Sequence, residues 1–210
     1  MKGLHKGISL VLKQGPPPPD CLLQSFLDKS YTVEASRFVH YSLCLSQPAS
    51  TLLPNCLLRF FASSKMLLEA NLVFCQISEP SVHSWQALIS AYHTCGEYFW
   101  ALHLYHHMIS DGIVPNKFVF SSVLRGCAIS GEWKEGTHIH DHVMRTGLDS
   151  DVVVGSALID MYAKCSNLEE ARRVFDRLES RNVVSWNALI TGYVLNGLSH
   201  NALELLKLVP

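Results

Sequence analysis

Apolar residues recur along this chain at i, i+3, i+4 and i+7, the spacing that turns one face of an α-helix towards a core. The pattern occurs as Ala70/Val73/Phe74/Ile77, Ala101/Leu104/Tyr105/Met108 and, after Gly136, Ile139/His140/Val143. It continues as Ala171/Val174/Phe175/Leu178 and Ala202/Leu205/Leu206/Val209. First members at 70, 101, 136, 171 and 202 are separated by 31, 35, 35 and 31 residues. A second motif keeps the same intervals: Ala-Leu-Ile-x-x-Tyr begins at Ala87, Ala157 and Ala188, with related strings at Cys56 and Ser122. Trp85 and Trp186 lie 101 residues apart, the sum of two long intervals and one short one. Two motifs sharing one irregular spacing define an internal repeat. Each unit is predicted to hold two helices, the first carrying the Ala-Leu-Ile string and the second the Ala-anchored stripe.

The punctuation fits that plan. Gly96, Gly131 and Gly197 fall at one place between the two helices, where a helix end favours a residue tolerant of positive φ. Ser166 replaces the glycine in one unit, and Asn167 with Glu170 resembles an N-cap and capping box for the helix that follows. Gly112-Ile113-Val114-Pro115-Asn116 and Gly147-Leu148-Asp149 close the longer units as turns. A single helix pair cannot bury both of its apolar faces, so neighbouring pairs must stack; the fold expected is an all-α solenoid.

Composition changes this picture little. The 210 residues are 48% hydrophobic and 17% charged, which excludes wholesale disorder. No apolar run approaches the roughly 18 residues of a transmembrane helix, so no membrane partner is expected. Seven cysteines, never closer than twelve residues and without a CxxC pair, read as free buried thiols rather than a disulfide framework. Residues 1–15 form a basic, acid-free leader with Lys2, Lys6 and Lys13, followed by Pro16-Pro17-Pro18-Pro19. It is compatible with an organelle transit peptide and equally with an irregular terminus. The formal net charge of −1 argues against a nucleic-acid partner held by bulk electrostatics.

The repeat resembles the plant-type pentatricopeptide repeat family, P-L-S class, whose units alternate between 35-residue P, roughly 35-residue L and 31-residue S forms. Residues 82–116 read as a P-type repeat, 117–151 as L-type and 152–182 as S-type. Residues 183–210 begin a further P-type repeat that stops short, which suggests a truncated chain whose last helix exposes an apolar face. Residues 51–81 fit an S-type repeat, and 16–50 a degenerate L-type repeat with a one-residue slip. The tetratricopeptide repeat is disfavoured, because its period is a constant 34 or so residues. The resemblance implies a right-handed α-solenoid located in a mitochondrion or chloroplast. It also implies sequence-specific binding of single-stranded RNA, as a site-recognition factor for transcript editing or other RNA processing.

In such proteins one base is read per repeat by two or three side chains. The resemblance places those side chains at the fifth and last residues of each unit. Fifth residues here are Asn55, Gln86, Ser121, Ser156 and Asn187; last residues are Ser81, Asn116, Asp151 and Asn182. All are polar. Asn, Ser and Asp are also ordinary helix caps, a reading that serves Asn116, Asp151 and Asn182 nearly as well. By the family's pairing rule, Ser156 with Asn182 implies adenine, Asn55 with Ser81 cytosine, and Ser121 with Asp151 guanine. Gln86 with Asn116 is unassigned, and Asn187 implies a pyrimidine. The implied register, 5′ to 3′, is C-N-G-A-pyrimidine. Second residues Leu52, His83, Phe118, Val153 and Val184 resemble those that sandwich bases between units; packing between repeats explains Leu52, Val153 and Val184 equally. Only Lys164 occupies the thirteenth position, where the family often places a phosphate-binding lysine.

Other chemistry is set aside. His103/His107 and His138/His142 have i, i+4 spacing but no HExxH glutamate, so no metal site is expected. His140 occupies the stripe position of Phe74, Tyr105 and Phe175 and reads as a packing residue. No GxSxG, phosphate loop or HxE…PCxxC deaminase signature is present, so no enzyme or cofactor is expected. Processing or editing proteins recruited in trans are the further partners the resemblance implies. The competing class is a helical-repeat scaffold that binds protein in the same groove.

Overall fold

A computed structural model describes residues 52–209, which form ten α-helices and, among the described residues, no strand. In chain order these are α1 (Leu52–Ser63), α2 (Leu67–Phe74), α3 (Val82–Thr94), α4 (Tyr98–Ser110) and α5 (Lys117–Ser130). They continue as α6 (Trp133–Thr146), α7 (Val152–Lys164), α8 (Leu168–Arg177), α9 (Val183–Leu195) and α10 (Ser199–Leu206). Odd-numbered helices carry the Ala-Leu-Ile-type strings and even-numbered ones the Ala-anchored stripes, as the periodicity predicts. The leader at 1–15, the 16–50 repeat, Cys21, Cys44 and the side chains of Leu52 and Cys56 lie outside the described residues.

The chain falls into two units, one ending at Ala91 and the other beginning at Tyr92. In the first, Leu57, Leu58 and Phe61 of α1 are buried together with Ala70, Val73 and Ile77. Trp85 of α3 meets the ring of Phe74 edge-on, with centroids 4.7 Å apart. In the second unit Phe175 and Trp186 repeat that contact at 4.8 Å. The tryptophan spacing in the sequence therefore records a joint at which the stripe of one pair seats the first helix of the next.

The second unit is organised by α7, which packs against α5, α6, α8 and α9. Its residues Val154 to Ile159 and Met161 to Ala163 are all buried, which explains why its sequence is apolar on nearly every side. The even helices keep one buried stripe: Ala101, Tyr105 and Met108; Gly136, Ile139, His140 and Val143; Ala171, Val174, Phe175 and Leu178. Four stripe members depart from the expectation. Phe74 and Leu104 are only half-buried, and Leu206 and Val209 are exposed, because α10 ends at Leu206. On α8 charged side chains pair along the helix: Arg173 with Glu169 at 2.6 Å and with Glu170, and Arg172 with Asp176 at 2.9 Å.

Gly131 at the α5–α6 turn has φ of +76°, and Ser166 takes the same left-handed conformation at +62°. Asn167 caps α8 by accepting from the Glu170 amide at 3.3 Å. The predicted capping box is only half formed, because the Glu170 carboxylate is drawn outward to Arg173 instead. The cysteine expectation is corrected in part: Cys127 is buried, Cys95 and Cys165 half-buried, and Cys75 exposed at the C-cap of α2, off the buried stripe. All four are free thiols, and burial first, with Glu135 nearby, pushes Cys127 up to about 12.

Candidate nucleic-acid interface

In the first unit, α1 carries Asn55, and the α2–α3 connection ends at Ser81. They are joined through Ser84, a residue at neither the fifth nor the last position of a unit. The Ser84 hydroxyl donates to Asn55 Oδ1 at 2.6 Å and lies 3.1 Å from the Ser81 hydroxyl. It also accepts the Ser81 amide at 3.1 Å. Ser84 has no exposed surface, so it acts as a buried strut that fixes Asn55 relative to Ser81. Gln86 is half-buried one helical step further, and His83 is exposed beside Ser81.

In the second unit, α5, α7 and α9 lie side by side and line one cavity of about 450 Å³. It gathers the fifth residues Ser121, Ser156 and Asn187, the last residue Asn182, the second residues Val153 and Val184, and Lys164. Three consecutive first helices thus present their polar fifth positions to one space. Asn116, Asp151 and Phe118 lie outside that cavity. Val184 is 60% exposed, so it is not spent on packing, whereas Val153 is half-buried. Phe118 is 50% exposed, with the Lys117 ammonium 5.7 Å from its ring centroid.

The last residues do serve as caps. Asn116 Oδ1 accepts from the amides of Phe118 and Val119 at 3.1 and 3.0 Å, capping α5. Asp151 Oδ1 accepts from Val153 and Val154 at 2.8 and 3.3 Å, capping α7. Burial pulls the Asp151 carboxyl upward, but those amides and Lys117, 3.3 Å from Oδ2, hold it below the usual carboxylate range. Asn182 and Ser185 form a full capping box on α9, with Asn182 Oδ1 accepting the Ser185 amide at 2.9 Å and Ser185 Oγ accepting the Asn182 amide at 3.1 Å. Each cap occupies Oδ1. The Asn182 amide nitrogen remains at an exposed residue on the cavity wall.

Ser156 is set back, only 5% exposed, and donates its proton to the Val152 carbonyl at 2.6 Å. What it offers the cavity is therefore lone pairs. Lys164, the sequence candidate for phosphate, is held by Asp160 at 2.8 Å. The cavity also contains Arg125, Asp160 and Thr191, none of them anticipated. A signal for all three existed: each lies one helical turn beyond a fifth residue, on the same face (Ser121, Ser156 and Asn187). For Ser84 and Ser185 the signal was the Ser-Trp dipeptide, which recurs at the third and fourth residues of two units.

Four of the histidines have other partners. His142 Nδ1 lies 2.8 Å from the Tyr105 hydroxyl and His140 Nδ1 2.9 Å from that of Tyr162, so both rings tie neighbouring repeats. His107 pairs with Asp111 at 3.4 Å, and His138 lies 3.8 Å from Glu135. Among the described residues no group of three metal-ligating side chains converges.

Comparisons with known proteins bear on this geometry. Residues 80–129 match the PPR repeat family, and residues 156–183 and 184–209 each match the PPR repeat. A chloroplastic pentatricopeptide repeat-containing protein of Arabidopsis thaliana is 39% identical over 168 residues, 79% of this chain and 19% of that protein. A mitochondrial one from the same plant is 36% identical over 186 residues, 89% of this chain and 30% of that protein. The chain spans less than a third of the length of these relatives. Among solved structures, maize PPR10 superposes with a TM-score of 0.73 at 19% identity, covering 94% of this chain and 30% of that one. PPR10 in complex with an 18-nt psaJ RNA element gives 0.75 at 21% identity, covering 98% and 32%.

Proposed function

Since this chain belongs to the pentatricopeptide repeat family, a fold of stacked helix pairs, we propose that it binds single-stranded RNA sequence-specifically in a mitochondrion or chloroplast. Its role is site recognition in transcript editing or other RNA processing, with any processing enzyme recruited in trans. The units are taken in the P-L-S order, with bases read at their fifth and last residues. One observation carries this reading: the 450 Å³ cavity collects three fifth positions, one last position and two second positions from three successive first helices.

The chemistry available in the cavity suits adenine at Ser156 and Asn182. Adenine's Watson–Crick edge offers one amino donor and one ring-nitrogen acceptor. Ser156 Oγ, its proton committed to Val152, accepts from the amino group. Asn182 Nδ2, with Oδ1 committed to Ser185, donates to the ring nitrogen. A short, recessed serine leaves room for a purine. The same logic serves Asn55: Ser84 takes its Oδ1, and its amide nitrogen faces a base acceptor such as cytosine O2 or N3. Val153 and Val184 flank the base planes. Ser121 with Asp151 is the guanine position, although Asp151 is shared with Lys117.

The test is a double substitution, Ser156→Asn with Asn182→Asp, assayed on four RNAs that differ only at the paired base. Aspartate caps a helix as well as asparagine does, so the fold is kept while the donor at the base becomes an acceptor. Preference is expected to move from adenine towards uracil, whose N3–H needs that acceptor. An unchanged preference, or binding indifferent to RNA sequence and displaced by peptide, overturns the proposal in favour of a protein scaffold.

A further inference from the structure

Resting on that RNA-binding reading, we infer that Arg125 is the phosphate anchor of the α5–α7–α9 cavity, supplying the positive charge that Lys164 spends on Asp160. The argument is one of charge accounting inside a single space. Three charged side chains line the cavity: Arg125, Asp160 and Lys164. Asp160 and Lys164, four residues apart on α7, neutralise each other at 2.8 Å. Arg125 is exposed, and among the described residues no ion pair or hydrogen bond holds it. It lies one turn beyond Ser121 on α5, on the face that carries the fifth position, so a strand paired with Ser121 passes within the reach of its guanidinium. A planar fork of N–H donors binds phosphate oxygens bidentately, which a lysine cannot do. An uncompensated arginine beside an internally neutral pair fixes where the backbone of a polyanion lies.

The contact is sequence-independent, and that separates it from the base readers. Binding of the full chain to a short uridine-rich RNA carrying C-N-G-A-pyrimidine is measured over a series of salt concentrations. Each neutralised phosphate of a single strand contributes about 0.7 to the slope of log affinity against log salt. Arg125→Gln is expected to lower that slope by about 0.7 and to weaken all four base variants at the Ser121 position by the same factor. Arg125→Lys keeps the slope, while Asp160→Asn releases Lys164 and steepens it. Arg125 is exposed, so the glutamine variant is expected to retain the wild-type melting curve. An unaltered slope in Arg125→Gln overturns this inference alone, as does a changed base preference at the Ser121 position, which would make Arg125 a base reader. Failure of the unsubstituted chain to bind any of the RNAs overturns the RNA-binding reading itself.

Discussion

Asn182 shows how one side chain serves two scales of the molecule. Its Oδ1 caps α9 in a reciprocal box with Ser185, and its Nδ2 is left at the cavity wall. Capping and the proposed base reading therefore do not compete for a polar residue at the end of a repeat, because each would use a different atom. Ser166 is a residue with a simpler task. It holds the left-handed turn between α7 and α8 at φ +62°, where three other units place glycine and one places Lys65 at +58°. A β-carbon in that conformation costs roughly 1–2 kcal/mol, partly offset by the greater chain entropy that glycine loses on folding. Ser166→Gly is therefore expected to stabilise the protein by about 0.5–1 kcal/mol. The midpoint of a denaturant titration would show it, rising with no change in slope.

Helices of adjacent repeats approach most closely where a small residue permits it. Gly192 of α9 lies against the Ala163 methyl of α7, and a Cβ built on Gly192 would overlap it. Asn196, at the C-cap of α9, reinforces this joint by donating to the Ala163 carbonyl at 2.9 Å. Because both sides are short and the clash is with a β-carbon rather than a flexible tip, the helices themselves must move apart. Gly192→Ala is expected to cost about 1–3 kcal/mol despite the better helix propensity of alanine. A fall in thermal midpoint would report it, and a rise would show that the joint is looser than described. Widening that joint also shifts Asn187 relative to Ser156, so RNA affinity should fall with stability.

At the scale of the whole molecule, charge and pH act together. A net charge of −1 gives little bulk attraction for RNA, so binding should depend on a few placed cations. Stability carries a pH signature of its own. Burial foremost, helped by Arg177 and opposed by Asp141, holds the His140 ring below its ordinary pKa; burial lowers His93 and His142 in the same way, helped by Arg125 and Arg145 respectively. The unfolded chain then binds more protons than the folded one on the acid side of roughly pH 6.5. Stability from these groups is complete above that value and is lost as pH falls below it. His140→Phe, which restores the aromatic found at the same stripe position in Phe74 and Phe175, is expected to flatten the acid limb. Unfolding free energies measured from about pH 7 to about pH 5 would reveal this.

Sequence alone determined the helix pairs, their irregular spacing and most residues of the buried stripes, because periodicity within a helix is a local property of the chain. The polar fifth and last positions were legible for the same reason: the repeat brings equivalent residues to equivalent places. Tertiary structure decided which of those residues share a space and which atoms remain to them. It set Ser121, Ser156, Asn182 and Asn187 around one cavity and buried Ser84 as a strut behind Asn55. Arg125, Asp160 and Thr191 were legible as positions one turn beyond the fifth residues, but that they share one space was decided only when three helices packed side by side. A repeat repeats its geometry; its hydrogen-bond partners are settled one contact at a time.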